Sequence, residues 1–281
     1  MNKPLTENDI RSSIISAGIR LLDTGLVART WGNISARLSE REFIITPSGR
    51  NYRTTEPQDL VRMDIRDLSY DRSGLKPSSE HGIHAAVYRL RPEASFVIHT
   101  HQFYATAVSA ALKDAVIDIA DGSGRTVRTE IPCAEYGVPG TKDLWDKVEK
   151  TLKDHPKASC ILMARHGALC FGPSMEEAFE TALAAEEGFK KLFFEKVPAA
   201  EGAAGLSGII SEDLTSLPPY LDDFAQMVPL DYDVDDREAL RMVCEKNAAA
   251  YLYAKDAPPI DPDDALSQHE GYVKGYSQRI K

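Results

Sequence analysis

The amino-acid sequence predicts an α/β or α+β fold, because segments with strand character alternate along the chain with segments of helical periodicity. A helix is predicted over residues 8–23, where isoleucine and leucine recur at helical spacing before Gly25. Two strand-like runs follow, residues 30–38 and 41–47, each closed by turn residues. Residues 48–76 are polar, and we expect them to mix strand with loop.

The middle of the chain is expected to form a helix, a strand and a second helix in succession. Residues 79–90 predict a helix with Ser78 or Ser79 as its N-cap. Residues 96–101, FVIHTH, predict a strand, since an apolar run leads into two histidines separated by a threonine. Residues 103–112 predict the second helix, whose small residues permit close packing.

The same alternation continues beyond that second helix. Residues 118–126 are rich in Asp, Gly and Ser and predict a loop, and residues 141–154 predict a helix. Residues 159–172 predict two strands joined by a turn at His166, because both flanks are apolar. A Ser-x-x-Glu capping box then opens a long helix over residues 174–195.

The clearest candidate linker is the stretch of residues 198–208, which is small and marked by Pro and Gly. It separates residues 1–197 from residues 209–281. The C-terminal part contains one convincing helix and a passage rich in Pro and Asp. We expect this part to be an extension that forms a subunit contact or an active-site arm.

Composition and charge limit the possible partners and compartment. The 281 residues carry a formal net charge of −10, which argues against a nucleic-acid or anionic-membrane surface. The N-terminus is polar, and no apolar run approaches the roughly 20 residues that span a bilayer. Four cysteines without C-x-x-C spacing are typical of reduced thiols, so we expect a cytoplasmic protein.

The strongest chemical pattern is the pair of histidines in FVIHTH. On a strand, His99 and His101 project from the same side and can offer two imidazoles to one metal ion. His166 can complete a three-histidine set of the kind that catalytic zinc sites favour, whereas structural zinc sites are richer in cysteine. The alternative is a pair of buried histidines bonded to the backbone. Cobalt or manganese remains open beside zinc, because ligand type alone rarely decides.

A carboxylate precedes the histidine strand. Glu80 lies near the start of the helix that leads into that strand, so it can reach the metal as a proton carrier or a fourth ligand. The alternative is a first-turn helical glutamate that only interacts with the helix dipole.

Three short segments can bind an anion. GNIS, PSG and SS offer hydroxyls, an amide and glycine-exposed backbone donors, and a helix N-terminus adds its dipole. Each segment alone is more typical of a turn or cap. The segments comprise residues 32–35, 47–49 and 78–79.

Together these motifs resemble the class II aldolase and adducin-head family, which includes the L-fuculose 1-phosphate aldolases. The resemblance spans about residues 8–197 and is carried, in family order, by TWGNISAR, ITPSGRNY, PSSEHGIHAAVYRLRPEASFVIHTH, YATAVS, IPCAEYGVPGTKDL and RHGALCFGPSMEEAFETALAAEE. It implies a catalytic domain over residues 1–197 with a three-layer helix/sheet/helix fold and a central, mostly antiparallel sheet. It also implies a homotetramer with active sites between subunits.

The resemblance implies roles for individual residues. It makes His99, His101 and His166 the zinc ligands and Glu80 the catalytic acid/base. The residues that it implies around the substrate phosphate are Gly32, Asn33, Ser48, Gly49, Ser78 and Ser79. The implied reaction is cleavage of a ketose 1-phosphate to dihydroxyacetone phosphate and an aldehyde through an enediolate.

Other activities of the same family stay open at this point. They are a sugar-phosphate 4-epimerase, a methylthioribulose phosphate dehydratase, a decarboxylase and a non-catalytic adducin-like module. Glu80 favours an aldolase over an epimerase, which carries Asp there, and the paired serines disfavour the decarboxylases. Adducin-like scaffolds have lost zinc ligands that this chain retains. The fuculose enzyme also uses a tyrosine before the IPC segment that this chain lacks, and Asp118 or Asp121 is its candidate replacement. Family aldolases use a further residue from the C-terminal tail of a neighbouring subunit, for which the candidates here are Tyr272 and Tyr276.

Overall fold

A computed structural model describes residues 6–27, 31–120, 125–201, 206, 217–227 and 237–261. Its strands in the described part of the chain are β1 (Asn33–Arg37), β2 (Glu42–Ile45), β3 (Val61–Asp64), β4 (Phe96–Thr100), β5 (Ala115–Ala120), β6 (Thr126–Ile131), β7 (Cys133–Ala134), β8 (Cys160–Met163) and β9 (Gly167–Gly172). Seven strands form one sheet in the order β3-β2-β1-β4-β9-β8-β7, and β5 and β6 form a separate hairpin. All pairs in the large sheet are antiparallel except β7 with β8.

Helices cover both faces of the large sheet. They are α1 (Glu7–Asp23), α2 (His81–Leu90), α3 (Phe103–Ser109), α4 (Lys142–Asp154), α5 (Met175–Lys196), α6 (Asp222–Met227) and α7 (Arg237–Ala254). Buried residues of α1, α3, α5 and α7 pack in one core cluster, and those of α2 and α4 pack in another. Within the described residues, no helix combines the length and apolarity that a membrane crossing requires.

Alternation along the strands produces these two cores. In β4, Phe96 and Ile98 join the core with α1 and α5, whereas Val97 joins the core with α2 and α4. The same alternation separates Ile34 of β1 from Ser35. The predicted three-layer fold with a mostly antiparallel sheet is therefore confirmed.

Two local predictions were wrong. Residues 118–120 and 126, at the two ends of a stretch that was predicted as a loop, belong to the paired strands β5 and β6. Neither Ser78 nor Ser79 is the N-cap of α2, because Glu80 occupies that position and its side chain makes no capping bond. Glu80 therefore stands at the helix start with its carboxylate directed elsewhere.

The register of three adjacent strands determines where the site lies. Asn33 at the start of β1 pairs with His99 near the end of β4, and Ala168 at the start of β9 pairs with Thr100. One end of these three central strands thus gathers the loop before β1, the end of β4 and the turn before β9. The predicted metal ligands His99, His101 and His166 all lie at this end.

Gly167 allows β9 to approach β4 at this end of the two strands. A Cβ atom on Gly167 would lie 2.2 Å from the carbonyl oxygen of Thr100, which is backbone and cannot rotate away. We expect Gly167→Ala to lower the free energy of unfolding by about 1–3 kcal/mol, the usual cost of overpacking. The measurement is urea denaturation of metal-free protein, and the matched control is Gly74→Ala, whose Cβ would meet only the Asp71 carbonyl oxygen at 3.8 Å. Equal midpoints for the two variants would contradict the prediction.

Candidate functional site

Three buried side chains and the partly buried His101 converge where α2 begins and β4 ends. Glu80, His99, His101 and His166 each present a ligand atom, and these atoms all lie within 4.8 Å of one another. The Nε2 atom of His101 is 3.0 Å from that of His99 and 3.2 Å from that of His166. The two Glu80 carboxylate oxygens lie 3.1 Å from His99 Nε2 and 3.1 Å from His166 Nε2. We call these four residues the histidine–glutamate cluster.

The separations between neighbouring ligand atoms suit a single bound metal ion, and the widest separation in the cluster is within 4.8 Å. Zinc binds nitrogen and oxygen at about 2.0–2.1 Å, so ligand atoms at the corners of a tetrahedron are about 3.3 Å apart. The four measured separations, 3.0–3.2 Å, are close to that value. The donor set of three imidazoles and a carboxylate is also one that zinc and related divalent ions accept.

Hydrogen bonds on the far side of two rings orient them toward the cluster. His99 Nδ1 donates to the carbonyl oxygen of Ala168 at 2.9 Å, and His101 Nδ1 donates to Asp223 Oδ1 at 3.2 Å. When only Nδ1 is protonated, the Nε2 atom of each ring presents a lone pair. Two such lone pairs 3.0 Å apart repel each other unless a metal ion or a proton lies between them. The cluster can therefore hold a metal ion.

Burial and neighbouring charges set the protonation of the cluster. Burial alone would raise the pKa of Glu80, but His99 and His166 lower that pKa well below its usual value. Burial lowers the pKa of His101 to about 4, although Asp223 opposes the shift. An ionised carboxylate and a neutral imidazole are the forms that bind a metal ion.

A buried hydrogen-bonded chain holds Glu80 from the side of the sheet. Asn33 Nδ2 donates to Glu80 Oε2 at 3.1 Å, and Asn33 Oδ1 accepts from His84 Nε2. His84 Nδ1 then accepts from the Ser35 hydroxyl at 2.6 Å, and Ser35 accepts from the Tyr88 hydroxyl at 2.7 Å. Burial lowers the pKa of His84 to about 3, so the ring is neutral as this direction requires. The Asn33 amide is thereby locked with its NH₂ group toward Glu80.

The three segments predicted to bind an anion also meet beside the cluster. The Ser78 N–H donates to the Thr46 carbonyl at 3.1 Å, and the Ser48 N–H donates to the Lys76 carbonyl at 3.0 Å. An isolated bridge between Pro47 and Pro77 joins the same two loops. These two amide protons hold the loops to each other, so they are not donors for an anion. We call the paired loops 46–50 and 76–79, together with Gly32, the cradle.

Gly32 adopts a conformation that the cradle requires. Its φ is +84°, and a Cβ atom there would lie 2.6 Å from the His99 carbonyl oxygen. Both the positive φ and the contact with the His99 backbone therefore exclude a side chain at this position. Gly49, with φ of +69°, provides a second left-handed residue in the cradle.

Sequence reasoning missed several residues around the cradle. A small depression there is lined by Gly32, Thr46, Pro47, Arg50, Tyr52 and Thr55. Arg50 is the basic side chain of this set, and it lies 3.4 Å from Asp59. Its position directly after the PSG motif is the signal that identifies it, since a cation next to a predicted anion loop is a candidate ligand.

The C-terminal helices also reach the cluster, through residues that sequence reasoning did not single out. Asp223 of α6 accepts from His101, and Lys246 of α7 lies 2.6 Å from the second oxygen of Asp223. The neighbouring Asp222 accepts from the Tyr136 hydroxyl at 2.9 Å. Tyr136 lies under the guanidinium of Arg165, the residue before His166.

The candidates for the missing tyrosine and for the residue from the C-terminal tail are not placed at the cluster by the described structure. Asp118 is exposed on the hairpin and lies 3.9 Å from Arg128. Asp121, Tyr272 and Tyr276 lie outside the described residues. Tyr136, from the IPC segment, is the tyrosine that the structure brings near His166 through Arg165.

Relatives of this chain carry out several reactions on sugar phosphates, according to their names. A 5-deoxy-D-ribulose 1-phosphate aldolase from Bacillus thuringiensis is 32% identical over 61% of this chain and 78% of that protein. A methylthioribulose-1-phosphate dehydratase from Methylococcus capsulatus is 32% identical over 64% and 92%. A protein from Mycoplasma pneumoniae, named a probable L-ribulose-5-phosphate 4-epimerase, is 37% identical over 38% of this chain. That match spans 44% of the relative, less than half its length.

Solved structures share the fold. An L-fuculose 1-phosphate aldolase superposes with a TM-score of 0.58 and 25% identity over 69% of this chain and 89% of that chain. An enzyme of the same name from Glaciozyma antarctica has a TM-score of 0.54 and covers 96% of both chains. Its identity of 16% supports a likeness of fold alone.

The family follows from the match of a whole-domain model. The model for the Class II Aldolase and Adducin N-terminal domain matches residues 12–192, well over half of the chain. All four residues of the histidine–glutamate cluster and the entire cradle lie within that match. On this match, the chain belongs to the Class II Aldolase and Adducin N-terminal domain family.

Proposed function

We propose that this protein is a metal-dependent aldolase that cleaves a ketose 1-phosphate to dihydroxyacetone phosphate and an aldehyde. The observation that carries the proposal is the histidine–glutamate cluster beside the cradle, with ligand atoms 3.0–3.2 Å apart. Two features of the substrate, a chelating carbonyl–hydroxyl pair and a phosphate, correspond to these two sites. Relatives named as aldolases of ketose 1-phosphates support the substrate class.

In this proposal His99, His101 and His166 hold a divalent ion, with zinc favoured over cobalt and manganese. The bound ion would supply Lewis-acid stabilisation of negative charge on the substrate oxygens as the C3–C4 bond breaks. The three imidazoles are neutral ligands, so they leave that positive charge largely uncompensated. His99 and His166 are also fully buried, which excludes water from their side of the reacting atoms.

Glu80 is proposed to move the proton at the enediolate carbon. Glu80 as a residue is 6% exposed, and its carboxylate contacts two of the three imidazoles. It therefore lies where the reacting carbon must approach. Asn33 donates to one carboxylate oxygen, which fixes the plane of the group. A positioned carboxylate of this kind typically contributes about 10²–10⁴-fold to the rate.

The cradle is proposed to bind the substrate phosphate. Since the N–H groups of Ser48 and Ser78 hold the loops together, binding falls to other groups. These are the hydroxyls, the remaining backbone donors and the Arg50 guanidinium. The proposed phosphate residues remain Gly32, Asn33, Ser48, Gly49, Ser78 and Ser79, to which we add Arg50. A phosphate held away from the reacting bond provides orientation.

A dehydratase of a ketose 1-phosphate is the second candidate. The observation that favours it is the match to 92% of the dehydratase from Methylococcus capsulatus. The same cluster and cradle serve either reaction, since both need a divalent ion and a bound phosphate. Glu80 in place of Asp disfavours the 4-epimerase, and the complete ligand set disfavours an adducin-like module.

Assembly, compartment and domain limits are further parts of the proposal. We propose a homotetramer with active sites between subunits and a cytoplasmic location. The cysteines in the described residues are free thiols, which supports a reducing compartment. The division into a catalytic domain over residues 1–197, a linker over residues 198–208 and a C-terminal extension over residues 209–281 stays a prediction.

Product analysis tests the proposed reaction. Zinc-loaded protein is incubated with L-fuculose 1-phosphate, 5-deoxyribulose 1-phosphate and methylthioribulose 1-phosphate, and dihydroxyacetone phosphate is measured by coupled reduction. We expect its release from at least one of these substrates, abolished by a chelator and restored by added metal. Loss of water without dihydroxyacetone phosphate would assign the dehydratase instead. A product of unchanged mass would assign the epimerase.

Replacing Glu80 tests its role separately from metal binding. We expect Glu80→Gln to retain one metal ion per chain, because three imidazoles remain, and to lower kcat by about 10²–10⁴-fold, as loss of a proton carrier does. Metal content is measured by elemental analysis and kcat by the coupled assay. The control is Glu187→Gln, which makes the same change from carboxylate to carboxamide at an exposed position of α5. Turnover of Glu80→Gln near that of the control would exclude the assigned role.

Replacing Arg50 tests the cradle. A charge-assisted hydrogen bond to phosphate is worth about 1.5–3 kcal/mol, so loss of a half-exposed one is expected to raise KM about tenfold with little change in kcat. Inorganic phosphate should also inhibit Arg50→Ala less than it inhibits wild type. Arg53→Ala is the matched control, because Arg53 is exposed and pairs with Asp23 outside the cradle. Equal KM values for the two variants would remove Arg50 from the phosphate site.

A further inference from the structure

We propose that Asp223 and Lys246, both beyond the residues that the family model matches, form an outer part of the metal centre. Asp223 would orient His101 as a ligand, and Lys246 would hold and neutralise Asp223. This inference rests on the metal centre of the proposed function. It would make the C-terminal extension a component of that centre and give it a role in metal affinity.

The contacts form a continuous path from the extension to the cluster. Asp223 Oδ1 lies 3.2 Å from His101 Nδ1, and Asp223 Oδ2 lies 2.6 Å from Lys246 Nζ. Lys246 Nζ also donates to the backbone carbonyl of His101 at 3.2 Å. The extension therefore holds His101 at its ring and at its backbone.

Both charged side chains are withdrawn from water. The side chains of Asp223 and Lys246 are 1% and 2% exposed. A buried ion pair of this kind is weak evidence for stability, because desolvation offsets the attraction between its charges. Because Asp223 contacts a proposed ligand histidine, the pair can act on metal binding instead. A carboxylate bonded to the Nδ1 atom of an imidazole fixes its tautomer and raises the basicity of its Nε2 atom.

The surrounding contacts keep this arrangement in place. Trp31 stacks on the His101 ring with a centroid separation of 6.4 Å, and Lys246 Nζ lies 5.7 Å from the Trp31 ring. Asn247, next to Lys246, accepts from the backbone N–H groups of Tyr220 and Leu221. Thus α7 positions the segment that begins α6.

A second tie connects the same segment to the third histidine. The Asp222 N–H donates to the carbonyl oxygen of Arg165 at 2.9 Å, and Arg165 directly precedes His166. Arg165 has a φ of +62°, a conformation that costs free energy for a residue with a side chain. The start of α6 is therefore bound to the turn that carries His166 as well as to His101.

The alternative is that Asp223 and Lys246 form a purely structural ion pair. In that case the two residues are equivalent, and removing either one would lower stability without changing metal affinity in the folded protein. An orienting carboxylate predicts an asymmetry. Losing Asp223 should weaken metal binding, whereas losing Lys246 leaves the carboxylate on His101 and should not weaken it.

The test measures the Kd for Zn²⁺ of metal-free, full-length protein by competition with a chromogenic chelator. We expect Asp223→Asn to raise this Kd about 10–100-fold, the usual effect of losing such a partner. Lys246→Met should bind Zn²⁺ at least as tightly as wild type. The visible spectrum of the Co²⁺-loaded protein should change in Asp223→Asn, because the ligand geometry at His101 is altered. Asp222→Asn is the matched control, since its carboxylate accepts from Tyr136 and not from a histidine.

The double variant Asp223→Asn/Lys246→Met keeps the proposal testable if a lone buried charge prevents folding. It removes both charges together and should show the same loss of affinity. A Kd within threefold of wild type for the folded Asp223 variants would overturn this inference and leave the proposed function intact. An equal loss in Asp222→Asn would also overturn it. Absence of stoichiometric metal from wild-type protein would overturn both this inference and the proposed metal centre.

Discussion

The pairing of β4 with β1 on one side and β9 on the other is the constraint on which the candidate site depends. It sets Asn33 opposite His99 and Ala168 opposite Thr100. Because side chains alternate along a strand, a slip of one residue would turn His99 to the opposite face of the sheet. The neighbours of His99 in β4 are buried in two different cores, so the same slip would also exchange those cores. The apolar packing of the fold thus specifies the geometry of the site.

Burial of charge is the second constraint, and it explains why Glu80 and Asp223 lie against cationic or hydrogen-bonding partners. Removing one partner of a buried ion pair typically costs about 3–5 kcal/mol, because the other charge is left without compensation. Glu80 therefore requires its two imidazoles and Asn33, and Asp223 requires Lys246 and His101. The chain from Asn33 through His84 to Tyr88 extends this requirement into the core between the sheet and α2.

The parts of the site that follow from local rules could be predicted from the sequence. Alternation along a strand predicts that His99 and His101 share a side, and two apolar flanks predict the turn at His166. The assignment of His166 to the same site as that pair followed from the family resemblance. The order of layers followed from the family resemblance. The N-cap of α2 was missed by one or two residues, since serine before a helix normally caps it, whereas here Glu80 occupies that position. The strands β5 and β6 were missed because the sequence that joins them, rich in Asp and Gly, is typical of a long loop.

Contacts between distant residues could not be predicted in the same way. No spacing rule connects His101 with Asp223, 122 positions away, or Asp223 with Lys246, 23 positions further along on a different helix. Arg50 was missed although it directly follows the PSG motif. Its place beside Gly32 and Thr55 in one depression, by contrast, depends on tertiary contacts that no local rule predicts.

The extension also changes how the limits of the functional unit are understood. The family match ends at residue 192, yet His101 has its ring partner on α6 and its backbone partner on α7. In a chain that lacked these helices, the Nδ1 atom of the equivalent histidine would need another acceptor, such as a backbone carbonyl, water or a neighbouring subunit. A carboxylate makes a ligand more basic than a carbonyl or water does, so the choice of acceptor sets metal affinity without changing a ligand. Residues beyond the family domain can therefore change the affinity of a metal centre within that domain while the metal ligands themselves stay the same.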